Sequence, residues 1–146
     1  MGNTLVALWY GDCTLAVLEK FRAELELIAT RNPSGIYVLN VISEETGMPD
    51  NAARKYLGEQ FATMRGRIKA MAVVLEKRGI MGTLSRTILN TVATIARRPF
   101  EMSIVGDRSE GASWVALRAS GNAGLLLQAI TGLARQAPAP RAAETR

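Results

Sequence analysis

The stretch "IYVLNVI", residues 36–42, decides the fold. It is a nearly continuous run of β-branched and apolar side chains. A strand with one wet face alternates apolar and polar residues, whereas an unbroken run suits a strand covered on both faces, as in a parallel sheet. Two neighbouring segments read the same way. "TLVALWYGD" (4–12) is apolar and stops at Gly-Asp, and "KAMAVVLEK" (69–77) is apolar through its middle. "FEMSIVGD" (100–107) supplies a fourth strand.

Segments of helical period lie between these strands. After Asp12 or Thr14 as cap, Leu15, Leu18, Phe21, Leu25 and Ile28 recur at spacings of three and four, until "NPSG" (32–35) breaks the helix. Asp50 or Asn51 caps a second helix with an inner face of Ala53, Tyr56, Leu57, Gln60, Phe61, Met64 and Ile68. A third runs from about Thr83 to Arg97 and stops before Pro99, which lacks a backbone donor and restricts Arg98. Ser109 is expected to cap a fourth, with Glu110 in its first turn. Gly121 separates that helix from a fifth over 122–136.

Strands that alternate with helices across short connections predict an α/β fold. The expected architecture is a single domain over residues 1–136. It holds a mostly parallel four-stranded sheet with helices packed on it, plus an extra C-terminal helix. Residues 137–146, "APAPRAAETR", offer nothing to bury and are expected to be a disordered tail.

Composition narrows the chemistry. The 146 residues include no histidine, which removes the usual general base near neutral pH, the common nucleophile pairs and most zinc and iron sites. No cofactor or metal is expected, and the chain reads as a non-enzyme. Cys13 is the only cysteine, so no internal disulfide forms and a reducing, cytoplasmic setting is the simplest expectation. No apolar run approaches the roughly 20 residues of a membrane span. The net charge of +5 favours acidic partners, but the basic residues are scattered in pairs at Arg54-Lys55, Lys77-Arg78 and Arg97-Arg98. Nucleic-acid binding is therefore not the favoured reading.

Four local features bear on function. Gly79 and Gly82 follow the third strand and precede a helix, the position of a phosphate loop. Neither a Walker nor a dinucleotide pattern is complete there, because no lysine follows and no third glycine exists. Ordinary backbone geometry competes with a candidate ligand loop at these two residues. "SEET" (43–46) follows the second strand and offers Ser43 beside Glu44 and Glu45. Trp9, Tyr10 and Trp114 sit in apolar patterns and read as packing residues. The last helix carries Leu125, Leu126, Leu127, Ile130 and Leu133 around more than half its circumference. This surplus fits a dimer, a protein partner or a membrane surface, and equally a helix buried on two sides.

"LWYGDCTLAVLEKF", "IYVLNVIS", "IKAMAVVLEK" and "FEMSIVGDRSEGASWVAL" together resemble STAS-like proteins, the relatives of anti-sigma-factor antagonists that include the SpoIIAA-like group. The likeness spans about residues 4 to 118. It implies a small, soluble, non-enzymatic α/β module that binds a protein partner or itself and, in some members, is switched by phosphorylation. The family's phosphorylated serine lies in an Asp-Ser-Ser-Gly-type motif where the second main strand meets its helix. Ser43 falls near that place here, between Ile42 and Glu44, without the Asp-Ser and Gly of the motif. The alternative that the residues themselves leave open is a phosphate-, nucleotide- or lipid-binding module working at the strand ends.

Overall fold

The computed structural model describes residues 2–76, 82, 83, 86, 87, 89, 90 and 100–137. The expected third helix lies mostly outside the described residues, as do Gly79, Lys77-Arg78, Arg97-Arg98 and the tail from 138 onward. The chain forms strands β1 (Thr4–Trp9), β2 (Ile36–Ile42), β3 (Ile68–Leu75) and β4 (Glu101–Val105). Helices α1 (Leu15–Arg31), α2 (Asn51–Thr63), α3 (Arg108–Ala119) and α4 (Ala123–Gln136) complete the named elements. Gly82, Thr83, Arg86, Thr87, Leu89 and Asn90 are also helical, between β3 and β4. The α/β class, the four strands and their parallel pairing are as the sequence predicts.

All three strand pairs are parallel, and the order across the sheet is β1-β2-β3-β4. That order dictates the layers. Parallel crossovers share one hand, so three steps in the same direction place every connection on one face. The packing agrees. Leu25 and Ala29 of α1, Phe61 of α2 and Leu89 pack with Ile36, Val38, Met71 and Val73 on that face. The opposite face would be bare. It is covered by the chain beyond β4, through Ala112, Val115 and Ala116 of α3 and Leu126 and Ile130 of α4, against Leu39, Val41, Ala72, Val74 and Val105. The internal strands β2 and β3 are thus apolar on both sides, which explains why their sequences do not alternate.

Several boundaries differ from the sequence reading. The first strand stops at Trp9, because Gly11 takes a positive φ of 74°. Ile68 is buried as expected but opens β3 rather than ending α2; Met64 caps that helix and the positive φ of Gly66 turns the chain. Leu15, expected on the inner face of α1, is exposed, and Ala29 is buried instead. Ser109 is not the cap of α3. Asp107 is, its carboxylate accepting from the Glu110 amide at 3.0 Å, which leaves Ser109 within the helix. Both residue types cap well, and the carboxylate wins by sitting where the strand ends and by facing the helix dipole. Thr14 and Asp50 cap α1 and α2 as expected.

A close approach between layers occurs at Gly111 of α3. A Cβ there would stand 2.4 Å from Val74 Cγ2 and 3.3 Å from Leu39 Cδ1. Absence of a side chain lets α3 lie directly on the two central strands. Gly111→Ala is therefore expected to destabilise the fold by about 1–3 kcal/mol, despite alanine's better helix propensity, because it overpacks a filled layer. Urea unfolding with an unchanged m-value and a lower midpoint would report it; a raised midpoint would contradict the packing described.

Candidate functional site

The carboxyl ends of the strands carry the polar groups of the sheet. β1 and β2 both continue toward the crossover face, and their end loops are stitched together. The Ser43 amide donates to the Trp9 carbonyl at 3.1 Å, the Gly11 amide to the Glu45 carbonyl at 3.1 Å and the Gly47 amide to the Gly11 carbonyl at 2.7 Å. The Thr46 hydroxyl donates to the same Trp9 carbonyl at 2.7 Å. Four bonds between two short loops make a rigid wall.

β3 and β4 behave differently. After β3, Leu89 packs on the crossover face, while the chain leaving β4 turns to the other face as α3. Adjacent parallel strands whose exits diverge leave a crevice beyond their carboxyl ends, the usual ligand position in open α/β sheets. A cleft of about 660 Å³ lies at that spot, lined by Ser43, Glu44, Glu45, Leu75, Glu76, Arg86, Gly106 and Arg108. Its size falls within the ordinary range of small-molecule sites. Across its floor Arg108 grips Glu76 with two hydrogen bonds, Nη2 to Oε1 at 2.8 Å and Nε to Oε2 at 3.1 Å. This fork ties the end of β3 to the start of α3. Arg86 reaches in from the crossover side, with Nη1 donating to the Ile104 carbonyl at 3.4 Å.

Ser43 is 8% exposed, and its Oγ lies 3.3 Å from the Thr46 hydroxyl. It borders the cleft, yet its hydroxyl has a hydroxyl partner and no base. Gly82 is buried in helical backbone. Of the last helix, Leu126 and Ile130 are buried in the core, Leu127 and Leu133 are half-buried, and Leu125 is 50% exposed. Sequence reasoning missed Glu76, Arg86 and Arg108. Glu76 and Arg108 stand at a strand end and a helix start, and the topological divergence that joins them is not visible in a linear pattern.

Other candidate chemistry is quieter. Trp9 packs edge-on against Phe21 at 4.9 Å between ring centroids, and the Arg118 guanidinium lies 3.7 Å above the Trp114 ring. Neither indole is an open stacking platform. Among the described residues no three metal-ligating side chains gather, and no helix is long and apolar enough to cross a membrane. The Cys13 thiol is pushed above its ordinary range, first by burial and then by the Asp50 carboxylate.

A thiol whose folded-state value is raised favours the native state while it is protonated. That contribution is complete below the unfolded thiol's value and is lost as pH rises through the folded one. Asp50→Asn keeps a competent cap on α2 but deletes the charge. It is expected to move the midpoint of the pH profile for Cys13 alkylation downward, with faster labelling at pH 8. An unchanged profile would mean that Asp50 does not act on the thiol.

No family model, no curated protein and no solved structure matches the chain. The STAS-like resemblance therefore rests on sequence pattern alone.

Proposed function

We propose that the chain is a non-enzymatic binding module that takes a small anionic ligand of the nucleotide or phosphate class in the cleft beyond β3 and β4. One observation carries this reading: a polar cleft of about 660 Å³ lies beyond the carboxyl ends of β3 and β4. Arg86 supplies a cationic fork for a phosphate, and Arg108, whose Nε and Nη2 are held by Glu76, adds its remaining Nη1 donors. Glu44, Glu45 and Glu76 supply acceptors for ligand hydroxyl or amino groups. The non-enzymatic part is supported by the two nucleophile candidates. Ser43 meets a hydroxyl rather than a base, and the Cys13 thiol is held protonated by burial. A regulatory role of the STAS-like kind would then be a response of the stitched β1–β2 loops to ligand in the neighbouring cleft, or to modification of Ser43.

Thermal denaturation with inorganic phosphate and with nucleoside mono- and triphosphates tests the reading. A ligand at a hundredfold excess over its Kd adds about 2.7 kcal/mol, a rise of several degrees. Arg86 is exposed, so Arg86→Ala is expected to leave the unliganded Tm unchanged and to abolish the rise. No shift with any member of the panel would remove the proposal.

A second reading has its own observation. Leu117 on α3 is 80% exposed, and Leu125 on α4 is 50% exposed, both on the two-helix layer that covers the second face of the sheet. Large aliphatic side chains left in water on one layer suit contact with a protein partner or a second copy. Light scattering after size exclusion is expected to give twice the monomer mass for the native chain and the monomer mass for Leu117→Glu with Leu125→Glu. A native chain that stays monomeric at high concentration would count against self-association.

A further inference from the structure

Asn40 is a polar residue in the middle of an internal strand. It is 6% exposed, with Ala7 beside it in β1 and Val73 beside it in β3. Alternation along β2 sends its side chain to the crossover face, with Ile36 and Val38. A carboxamide in such a place is costly unless its donors and acceptors are used. The carbonyl half is used: Oδ1 accepts from the Trp9 indole at 2.9 Å. An indole only donates, so this bond fixes which end of the amide faces Trp9. The amino half then points the other way, and Met71 Sδ at 3.3 Å is the acceptor it meets. An amino group has two hydrogens, and a thioether is a weak acceptor. One strong donor is left over.

That donor borders a cavity of about 80 Å³. The walls around it are aromatic and aliphatic, among them Phe21, Phe61, Val73, Leu89 and Met102. Thr46 also lines it, but its hydroxyl is spent on the Trp9 carbonyl. Among the described lining residues Cys13 is the sole ionisable one, so these residues offer a charged guest no compensating charge. An engineered apolar cavity of about 150 Å³ accepts benzene, so this one has room for about three or four non-hydrogen atoms.

We infer that this cavity is a binding site for a small uncharged molecule with an apolar body and one accepting oxygen, a short ketone or alcohol, seated on the free Asn40 amide hydrogen. The site is separate from the polar cleft and does not depend on what the cleft binds. Hydrophobic contact holds the body, and the fixed carboxamide selects the oxygen. With so few atoms, the dissociation constant is expected to be about millimolar.

Acetone is the probe. In amide-correlated NMR spectra of the full chain, titration is expected to give saturable shifts of the Asn40 side-chain amide and the Trp9 indole. Asn40→Leu, which keeps the branched shape without the polar atoms, is expected to abolish the acetone response at the Trp9 indole, while xenon still binds the variant and reports that the cavity persists. Val73→Ile, which fills the cavity from its wall, is expected to lose both acetone and xenon and serves if the first variant does not fold. Shifts that do not saturate, that scatter over the surface, or that persist in Asn40→Leu would overturn the assignment. So would a resident water on the Asn40 amide that acetone fails to displace.

Discussion

The rest of the molecule depends on one topological constraint. Four parallel strands laid down in sequence order, with crossovers of one hand, bury only one face of the sheet. An apolar face of four strands cannot be left in water, so the chain must continue after the last strand and return across the sheet. The α3–α4 pair does this: α3 lies over β2, β3 and β4, and α4 lies against β1 and α3. The pair is therefore the missing layer rather than an appendage. This accounts for the close seat of Gly111 on Val74, since α3 has to cover both central strands at once.

The cleft follows from the same constraint. In a sheet of this order the usual switch point, where the strand order reverses, does not exist. The segments after β3 and β4 nevertheless serve different layers, Leu89 packing in the crossover layer and α3 in the return layer. A crevice forms wherever neighbouring exits part, whatever produces the parting. The Arg108–Glu76 fork spans the parting and keeps α3 in register with β3. Half-buried and two-pronged, it has better geometry than the exposed helical pairs Arg22–Glu26 and Lys55–Glu59. Its contribution lies more in position than in energy, since it holds a charged floor at a place that topology has opened.

The fold was legible in the sequence where local pattern and tertiary demand agree. "IYVLNVI" and "AMAVVL" carry no polar alternation because β2 and β3 are covered twice, and that reading required no long-range knowledge. Thr14 and Asp50 were legible as caps because capping is settled within three residues. Ser109 was misread because Asp107, two residues earlier, competes for the same amides, and only the end point of β4 decides between them. Leu15 has the right period for the core but lies in the first turn of α1, before the helix reaches the sheet. The site was much less legible. Ser43 marks the right strand end, whereas Glu76, Arg86 and Arg108 come together from three separate segments. In Asn40 the sequence did contain a signal, a single amide within an apolar strand; its meaning depends on Trp9, 31 residues away, and on Met71, a further 31 along.

The two faces of the sheet are therefore unequal in kind. On the return face the internal strands present Leu39, Val41, Ala72 and Val74, a surface closed tightly enough that a glycine is required above it. The crossover face holds the aromatic pair Trp9–Phe21, the Asn40 amide and a cavity. Close packing and a void with a fixed donor are opposite solutions to the same problem of filling space over a sheet. A void forfeits dispersion contacts along its lining, and a buried amide adds a cost of its own. Both sit at one point, tied by one hydrogen bond to the strand whose end loop is stitched to that of β2. The donor-only indole of Trp9 fixes the orientation of the amide. Trp9, on a strand whose end loop is stitched to that of β2, thus holds Asn40 in place, and a donor held in place is what distinguishes a binding site from a packing defect.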